Sequence, residues 1–230
     1  KFWEYLMIKE FEKRILSSLI LIPLAIFFIM QGSVFFAFFL IIAFLLTSYE
    51  WIKMCKKFNS LKIFGIIFLF LSFFHAFGFR ENFGLYNFLF VVLICIFTDL
   101  GGYIFGKTFK GPKLTKISPN KTYAGVFGSF VCSLIIGILM LNNFPISLRT
   151  LTENEIYSGF NTNTQLYYLL LILSISLISQ IGDLIISYFK RLMKVKDTGK
   201  IIPGHGGLLD RIDGLIFVIP IFYIFFKLFS

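Results

Sequence analysis

Charge is what this chain has least of. Of its 230 residues 15% are charged, with five aspartates, seven glutamates and two histidines. Soluble chains carry about a quarter charged residues, so there is too little polar surface here to cover a water-soluble domain, and the bilayer must serve as solvent. Cysteine is equally sparse. Cys55, Cys95 and Cys132 show no C-x-x-C spacing, which excludes a closed disulfide framework and a cysteine zinc cluster. Cys95 and Cys132 fall in apolar segments, where a thiol behaves as a small hydrophobe. The glycine turn at 203–207 does not follow the G-x-x-x-x-G-K-[ST] pattern, so it gives no support to a P-loop ATPase. There is no internal repeat, low-complexity tract or soluble domain. The apolar run behind Lys13-Arg14 lacks a small-x-small site and reads as a first span rather than a cleavable leader, with Met7 as an alternative start.

Present instead is hydrophobicity: 57% apolar residues, 33 of them Phe, and a mean hydropathy of +0.85. Seven apolar segments, 15–31, 34–52, 63–79, 83–99, 123–141, 166–189 and 214–229, approach the ~20 residues that cross a hydrocarbon core. The expected fold is an all-α polytopic membrane helix bundle of about seven transmembrane helices, one domain over 1–230. Very short connections make hairpins of the first and second segments and of the third and fourth. Pro23 and Pro220 lie inside spans, which bilayer helices tolerate. The segment 142–165 reads as a connector.

The Lys and Arg residues alternate by side. The N-terminal arm (Lys1, Lys9, Lys13, Arg14) and the second, fourth and sixth loops hold 19 of the 22, against Arg80, Arg149 and Lys227 opposite. This bias puts the N-terminus and loops four and six in the cytoplasm. The net charge of +10 therefore belongs to that face and calls for membrane lipids with anionic headgroups, anionic substrates, or both, rather than nucleic acid.

Chemistry concentrates between Gly182 and Asp213, which holds Asp183, Asp197, Asp210 and Asp213. A carboxylate at a membrane edge is costly and reads as functional. Asp183, Ser187, Lys190 and Lys194 share one helix face; a purely structural Asp183–Lys190 pairing is the alternative. The basic run Lys190, Arg191, Lys194, Lys196 and Lys200 either gathers phosphates or serves only topology and anionic lipid. Pro203-Gly204-His205-Gly206-Gly207 is a turn whose glycines permit positive φ and whose free N–H groups suit phosphate oxygens, or else a plain turn. Asp210 and Asp213, with Arg211 between them, open the last helix. They either complement its end charge or, with Asp183, make an all-oxygen set for Mg²⁺ completed by substrate phosphates.

A second patch runs Thr98-Asp99-Leu100-Gly101-Gly102, then Ser118-Pro119-Asn120-Lys121-Thr122. It offers close backbone packing, a cation and a hydroxyl at a helix start; an ordinary capped helix explains it as well. His75 reads as a packing residue. Glu50 is either functional or the partner of Lys53.

The run Ser187-x-Phe189-Lys190-Arg191-x4-Lys196-Asp197-x-Gly199-x2-Ile202-Pro203-x-His205-Gly206-Gly207-Leu208-x-Asp210-Arg211-Ile212-Asp213 resembles the C-terminal signature of phosphatidate cytidylyltransferases (CDP-diacylglycerol synthases). The stretches 99–102, Ser118 to Thr122, and Tyr49-Glu50-Trp51 are similar to that family's earlier motifs. Ile186 stands where many members carry Glu, Ala124 where an acidic or amide residue often precedes glycine, and the spans are fewer than in many members.

The resemblance implies an enzyme of a bacterial inner membrane, its active site cytoplasmic. It would transfer CMP from CTP to phosphatidic acid, releasing pyrophosphate with the help of Mg²⁺, a second cation and a homodimer being left open. It implies Asp183 and Asp210 as catalytic metal ligands, with Asp213 or Asp99 assisting. Lys190, Arg191, Lys196, Arg211 and Lys121 would hold phosphates, and His205 would steady the leaving pyrophosphate. Ser118, Thr122, Ser187, Asp197, Gly206 and Gly207 complete the substrate-binding set. Two rivals stand beside it: another CTP-using lipid enzyme of polyprenol kinase type, and an ion- or proton-coupled transporter built on Asp183. A CDP-alcohol phosphatidyltransferase is disfavoured, because its D-G-x2-A-R…G-x3-D-x3-D arrangement is missing.

Overall fold

The computed structural model describes residues 17, 19–56, 58–115, 118, 121–146, 162–204 and 206–229. They form helices α1 (Leu19–Gln31), α2 (Ser33–Met54), α3 (Asn59–Phe109), α4 (Tyr123–Asn143), α5 (Thr162–Leu192), α6 (Leu209–Ile212) and α7 (Leu215–Phe229). Among the described residues there is no strand, only isolated bridges Lys113–Thr122 and Ile202–Gly206.

Among the described residues, four helices are long and apolar enough to cross a membrane: α2, α3, α4 and the 165–192 part of α5; α1 and α7 are shorter apolar helices. Length and composition thus give four candidate spans where about seven were expected. Part of the difference lies in α3, whose 51 residues are two helices joined at Gly84. That residue has φ 82° and ψ 174°, a backbone state that only glycine adopts without strain. Phe79 and Phe88 would stand about 13 Å apart along a straight helix, yet their ring centroids are 6.1 Å apart, so the chain bends sharply between them. The short connection expected between the third and fourth segments is this bend.

Contacts divide the chain into two compact units. The first comprises Lys1–Phe77 and Phe189–Ile212. In it α2 buries Phe36, Leu40, Ala43, Thr47, Glu50, Trp51 and Met54, a stripe at helical spacing. The opposite face exposes Val34, Phe35, Phe38, Ile41 and Leu45, as suits a lipid-facing surface. Phe44 meets Phe70 and Phe73 of α3 edge to face. The Trp51 indole N–H donates to the Leu61 carbonyl at 3.1 Å, and its ring lies edge-on to Phe189 at 5.5 Å. The end of α2 is thereby tied both to α3 and to the last turn of α5.

The second unit comprises Gly78–Tyr188 and Asp213–Ser230. Without a hydrophobic drive between helices in lipid, association rests on close packing and hydrogen bonds, and both occur here. Gly101 lies so close to α4 that an added Cβ would stand 2.4 Å from the Gly128 carbonyl oxygen. Around this approach Thr98 donates to the Ser176 hydroxyl at 2.9 Å, and Ser129 donates to the Thr98 carbonyl at 2.7 Å. The Phe79 ring meets Phe226 of α7 edge to face, and Asn82 donates to the Tyr223 hydroxyl at 3.1 Å.

Candidate active site

The sequence between α5 and α6 turns tightly and returns. Val195 donates its N–H to the Lys190 carbonyl, and Ile202 donates to the Gly206 carbonyl. Gly204 and Gly206 take the positive φ expected of this turn, 75° and 89°. The return brings Asp210 against the end of α5. Lys190 Nζ donates to Asp210 Oδ1 at 2.8 Å, with both side chains about nine-tenths buried. The other carboxylate oxygen, Oδ2, accepts from Thr198 N–H at 2.9 Å, Thr198 Oγ1 at 3.0 Å and Gly207 N–H at 3.1 Å. Asp210 is thus the knot of its loop.

Glu50 is the second organising carboxylate. It sits on the buried stripe of α2, 1% exposed. Its carboxylate accepts from Leu208 N–H at 3.0 Å, Leu209 N–H at 2.9 Å and the Thr198 hydroxyl at 3.3 Å. Lys53, the partner that stood as one of its two readings, instead lies 5.7 Å from the Tyr49 ring centroid. These bonds change the reading of the glycine turn. The Gly207 N–H, which the sequence offered to phosphate, and the Leu208 and Leu209 N–H groups after it are taken by the protein's own carboxylates.

Cations supply what the backbone does not. A cavity of about 810 Å³ in the first unit is lined by Lys53, Lys56, Lys194, Lys196 and Lys200, with Asp197 among them. Thr198 and Gly199 connect its wall to the Asp210–Glu50 network. Arg191 is exposed and donates to the Val195 carbonyl at 3.1 Å, bracing the first turn. Arg211 is exposed on α6.

In the second unit a separate pair forms. Pro112–Leu114 pairs with Lys121–Tyr123 through Leu114 N–H to Lys121 O and Tyr123 N–H to Pro112 O, and Lys121 N–H donates to Ser118 O. This places Lys121 Nζ 2.5 Å from Asp183 Oδ2, both about a quarter exposed. Ser187, one turn on, donates to Asp183 Oδ1 at 3.3 Å. The Asp183–Lys190 pairing left open above does not arise: Asp183 takes Lys121 and Lys190 takes Asp210. The Thr122 hydroxyl caps α4 by accepting from Gly125 N–H at 3.1 Å. Asp213 is buried and accepts from Gly214 N–H at 2.9 Å. A Cβ on Gly182 would lie 3.1 Å from the Asp213 carbonyl oxygen, so the Asp183 and Asp213 segments adjoin. Asp99 is exposed at the packing site of Gly101. His205, Pro119 and Asn120 lie outside the described residues.

The donor chemistry suits a hard cation at one of these places. Mg²⁺ takes oxygen ligands, commonly one or two carboxylates plus waters and substrate phosphates. Asp183 is partly exposed, offers only oxygen and has the Asp213 segment beside it. Asp210 fits less well, since one oxygen already serves three donors and the other an ammonium. Among the described residues, no three His, Cys, Asp or Glu side chains gather as a ready-made metal cage.

Sequence reasoning missed the roles of Glu50 and Thr198. For Glu50 a signal existed: helical spacing from Phe36 through Leu40, Ala43 and Thr47 puts position 50 on the buried stripe. For Thr198 no local pattern pointed to it.

Comparison with known proteins agrees with the signature run. Residues 56–229 match the model of the cytidylyltransferase family. A Staphylococcus haemolyticus protein named phosphatidate cytidylyltransferase is 41% identical over 152 residues, covering 66% of this chain and 52% of its own length. Proteins of the same name from Staphylococcus saprophyticus and Staphylococcus aureus are each 43% identical, over 141 and 139 residues, covering 60% of this chain and 48% of their own lengths. The chain spans about half the length of these curated relatives. With the family model matched along most of its length, the chain belongs to the cytidylyltransferase family.

Proposed function

We propose that the protein is a membrane nucleotidyltransferase that makes CDP-diacylglycerol and pyrophosphate from CTP and phosphatidic acid. The observation that carries this reading is the loop between α5 and α6. There the signature residues fold into one network around the Lys190–Asp210 pair, beside a cavity walled by five lysines. The cavity lies within the usual 300–1,000 Å³ range of small-molecule sites.

In the proposed reaction the lipid phosphate oxygen attacks the α-phosphorus of CTP, and pyrophosphate leaves in line. Such a transfer needs alignment and charge neutralisation more than a protein nucleophile. Lys196 and its neighbours in the cavity hold anionic phosphates. Lys190, held by Asp210, is the cation of the network that Thr198 links to the cavity wall, and Arg191 and Arg211 stand exposed for further phosphate contacts. Lys121 turns from Asp183 to a substrate phosphate, with Ser118 and Thr122 shaping the loop that carries it. Asp183, with Ser187 bonded to it and Asp213 or Asp99 assisting, would hold a divalent cation, Mg²⁺ in our reading. That cation would neutralise charge on the triphosphate. Asp210 serves first as the anchor of Lys190.

The active face is cytoplasmic in a bacterial inner membrane, and the helices make seven crossings, counting α3 as two and including α1 and α7.

The test is CTP-dependent formation of CDP-diacylglycerol by purified protein, with and without Mg²⁺, using CTP labelled in the α- or γ-phosphate. Label from the α-position in the lipid is expected. Transfer of the γ-phosphate, or flux in vesicles with no lipid product, would overturn the reading. Lys196→Ala with Lys200→Ala should raise KM for CTP roughly tenfold, an effect of about 1.4 kcal/mol, and more so at low salt, where exposed charges act further.

A further inference from the structure

A carboxylate taken out of water costs several kcal/mol unless its oxygens are satisfied. Glu50 is 1% exposed, and every donor bonded to it comes from one loop: Leu208 N–H, Leu209 N–H and the Thr198 hydroxyl, 148 to 159 positions away in sequence. Thr198 also donates to Asp210, which in turn holds Lys190. A continuous chain of hydrogen bonds therefore runs from α2 through Thr198 and Asp210 to the Lys190 ammonium.

The loop is also shaped around this side chain sterically. A Cβ at Gly199 would lie 2.4 Å from Glu50 Oε1, and one at Gly207 would run into the Thr198 hydroxyl and lie 2.7 Å from Glu50 Oε2. Neither glycine has a positive φ. Gly199 is thus required by the volume of Glu50, and Gly207 by that of Thr198 and Glu50 together, not by backbone conformation.

We propose that Glu50 is a positioning residue. It never touches substrate, and it fixes the 198–209 loop so that Asp210 holds Lys190 in place for the transferring phosphate. The proposal rests on the nucleotidyl-transfer reading above for its catalytic consequence, though not for its geometry.

The experiment uses the full chain in detergent micelles as wild type, Glu50→Gln, Gly199→Ala, Glu50→Ala and the Glu50→Ala/Gly199→Ala double variant. In Glu50→Gln one amide NH₂ faces backbone donors. Amides of Thr198, Gly207, Leu208 and Leu209 should then exchange with solvent at least about tenfold faster, while those of mid-α2 and α4 keep their rates. kcat for CTP-dependent lipid product should fall at least about tenfold with KM for CTP within about threefold.

Gly199→Ala alone should show the same defect. In the Glu50→Ala background, where the space is freed, it should cost nothing further, a coupling that only direct contact produces. Uniformly faster exchange throughout the protein would reduce Glu50 to a general packing residue and overturn the proposal. Unchanged loop exchange in Glu50→Gln, or additive effects of the two alanines, would also overturn it. If the wild type makes no CTP-dependent lipid, the functional reading fails, while loop exchange and the Gly199 rescue still decide the role of Glu50.

Discussion

Lys190 and Asp210, 20 residues apart, close the loop between α5 and α6 with a 2.8 Å ion pair that is about nine-tenths buried at both ends. A pair so placed is judged by what its loss leaves behind. Removing one partner strands a buried charge, at a cost of about 3–5 kcal/mol. Asp210→Asn should therefore open the loop to proteolysis and lower activity by roughly 100-fold or more. Adding Lys190→Met to Asp210→Asn should recover loop protection without recovering activity, because the stranded charge is gone but the cation needed for phosphate is gone with it. Limited proteolysis and product formation, measured together, check both statements.

The Lys121–Asp183 pair has a different character, since both side chains are about a quarter exposed. Exposed pairs contribute only about 0–1 kcal/mol. Asp183→Asn should leave the unfolding temperature nearly unchanged while abolishing turnover. Ser187→Ala should be milder, about two- to fivefold in kcat, as expected for a supporting hydroxyl. Near-wild-type activity of Asp183→Asn would refute its cation-holding role. Thermal unfolding beside a lipid-product assay separates the two effects.

Packing at Gly101 allows no added volume. A Cβ there would meet the Gly128 carbonyl at 2.4 Å and Cys132 Cβ at 2.8 Å, both on α4. Overpacking costs typically about 1–3 kcal/mol. Gly101→Ala should lower the thermal midpoint, and Gly101→Val should lower it further, without changing KM for CTP in the protein that remains folded.

Cys55, just past the end of α2, is fully buried, and that burial pushes its thiol from an ordinary 9.0 up to about 11. The thiolate is the reactive form. Alkylation of the folded protein at Cys55 should be negligible at neutral pH and rise only in strongly alkaline buffer. The folded state holds this proton more tightly than the unfolded chain does. The associated stability is therefore fully present below pH 9.0 and lost as pH rises toward 11. Mass spectrometry of iodoacetamide-treated protein across that pH range reads it directly.

Comparing the site with the sequence shows which kinds of information are local. Asp183 and Lys190 share a helix face, but at i, i+7 they lie about 10 Å apart along the axis, too far for a short direct bond. Other segments reach where the helix cannot, so Lys121, paired with Leu114, arrives at Asp183 from just before α4 and Asp210 arrives at Lys190 from α6. The glycine turn was legible as a turn, because positive φ at Gly204 and Gly206 is a backbone property. The use of the following N–H groups was not, because their acceptors are Asp210 and the distant Glu50.

By itself the amino-acid order determined the solvent of this protein, the positions of its helices, the clustering of its cations and its family. Apolar length, charge bias and motif spacing are properties summed along the chain, and they need no knowledge of which helices meet. Only the tertiary structure decided which carboxylate faces which ammonium, that Glu50 is buried beneath the signature loop, and that α3 breaks at Gly84. Those outcomes depend on desolvation and reach between segments up to 159 residues apart, and neither quantity is written in any one stretch of sequence.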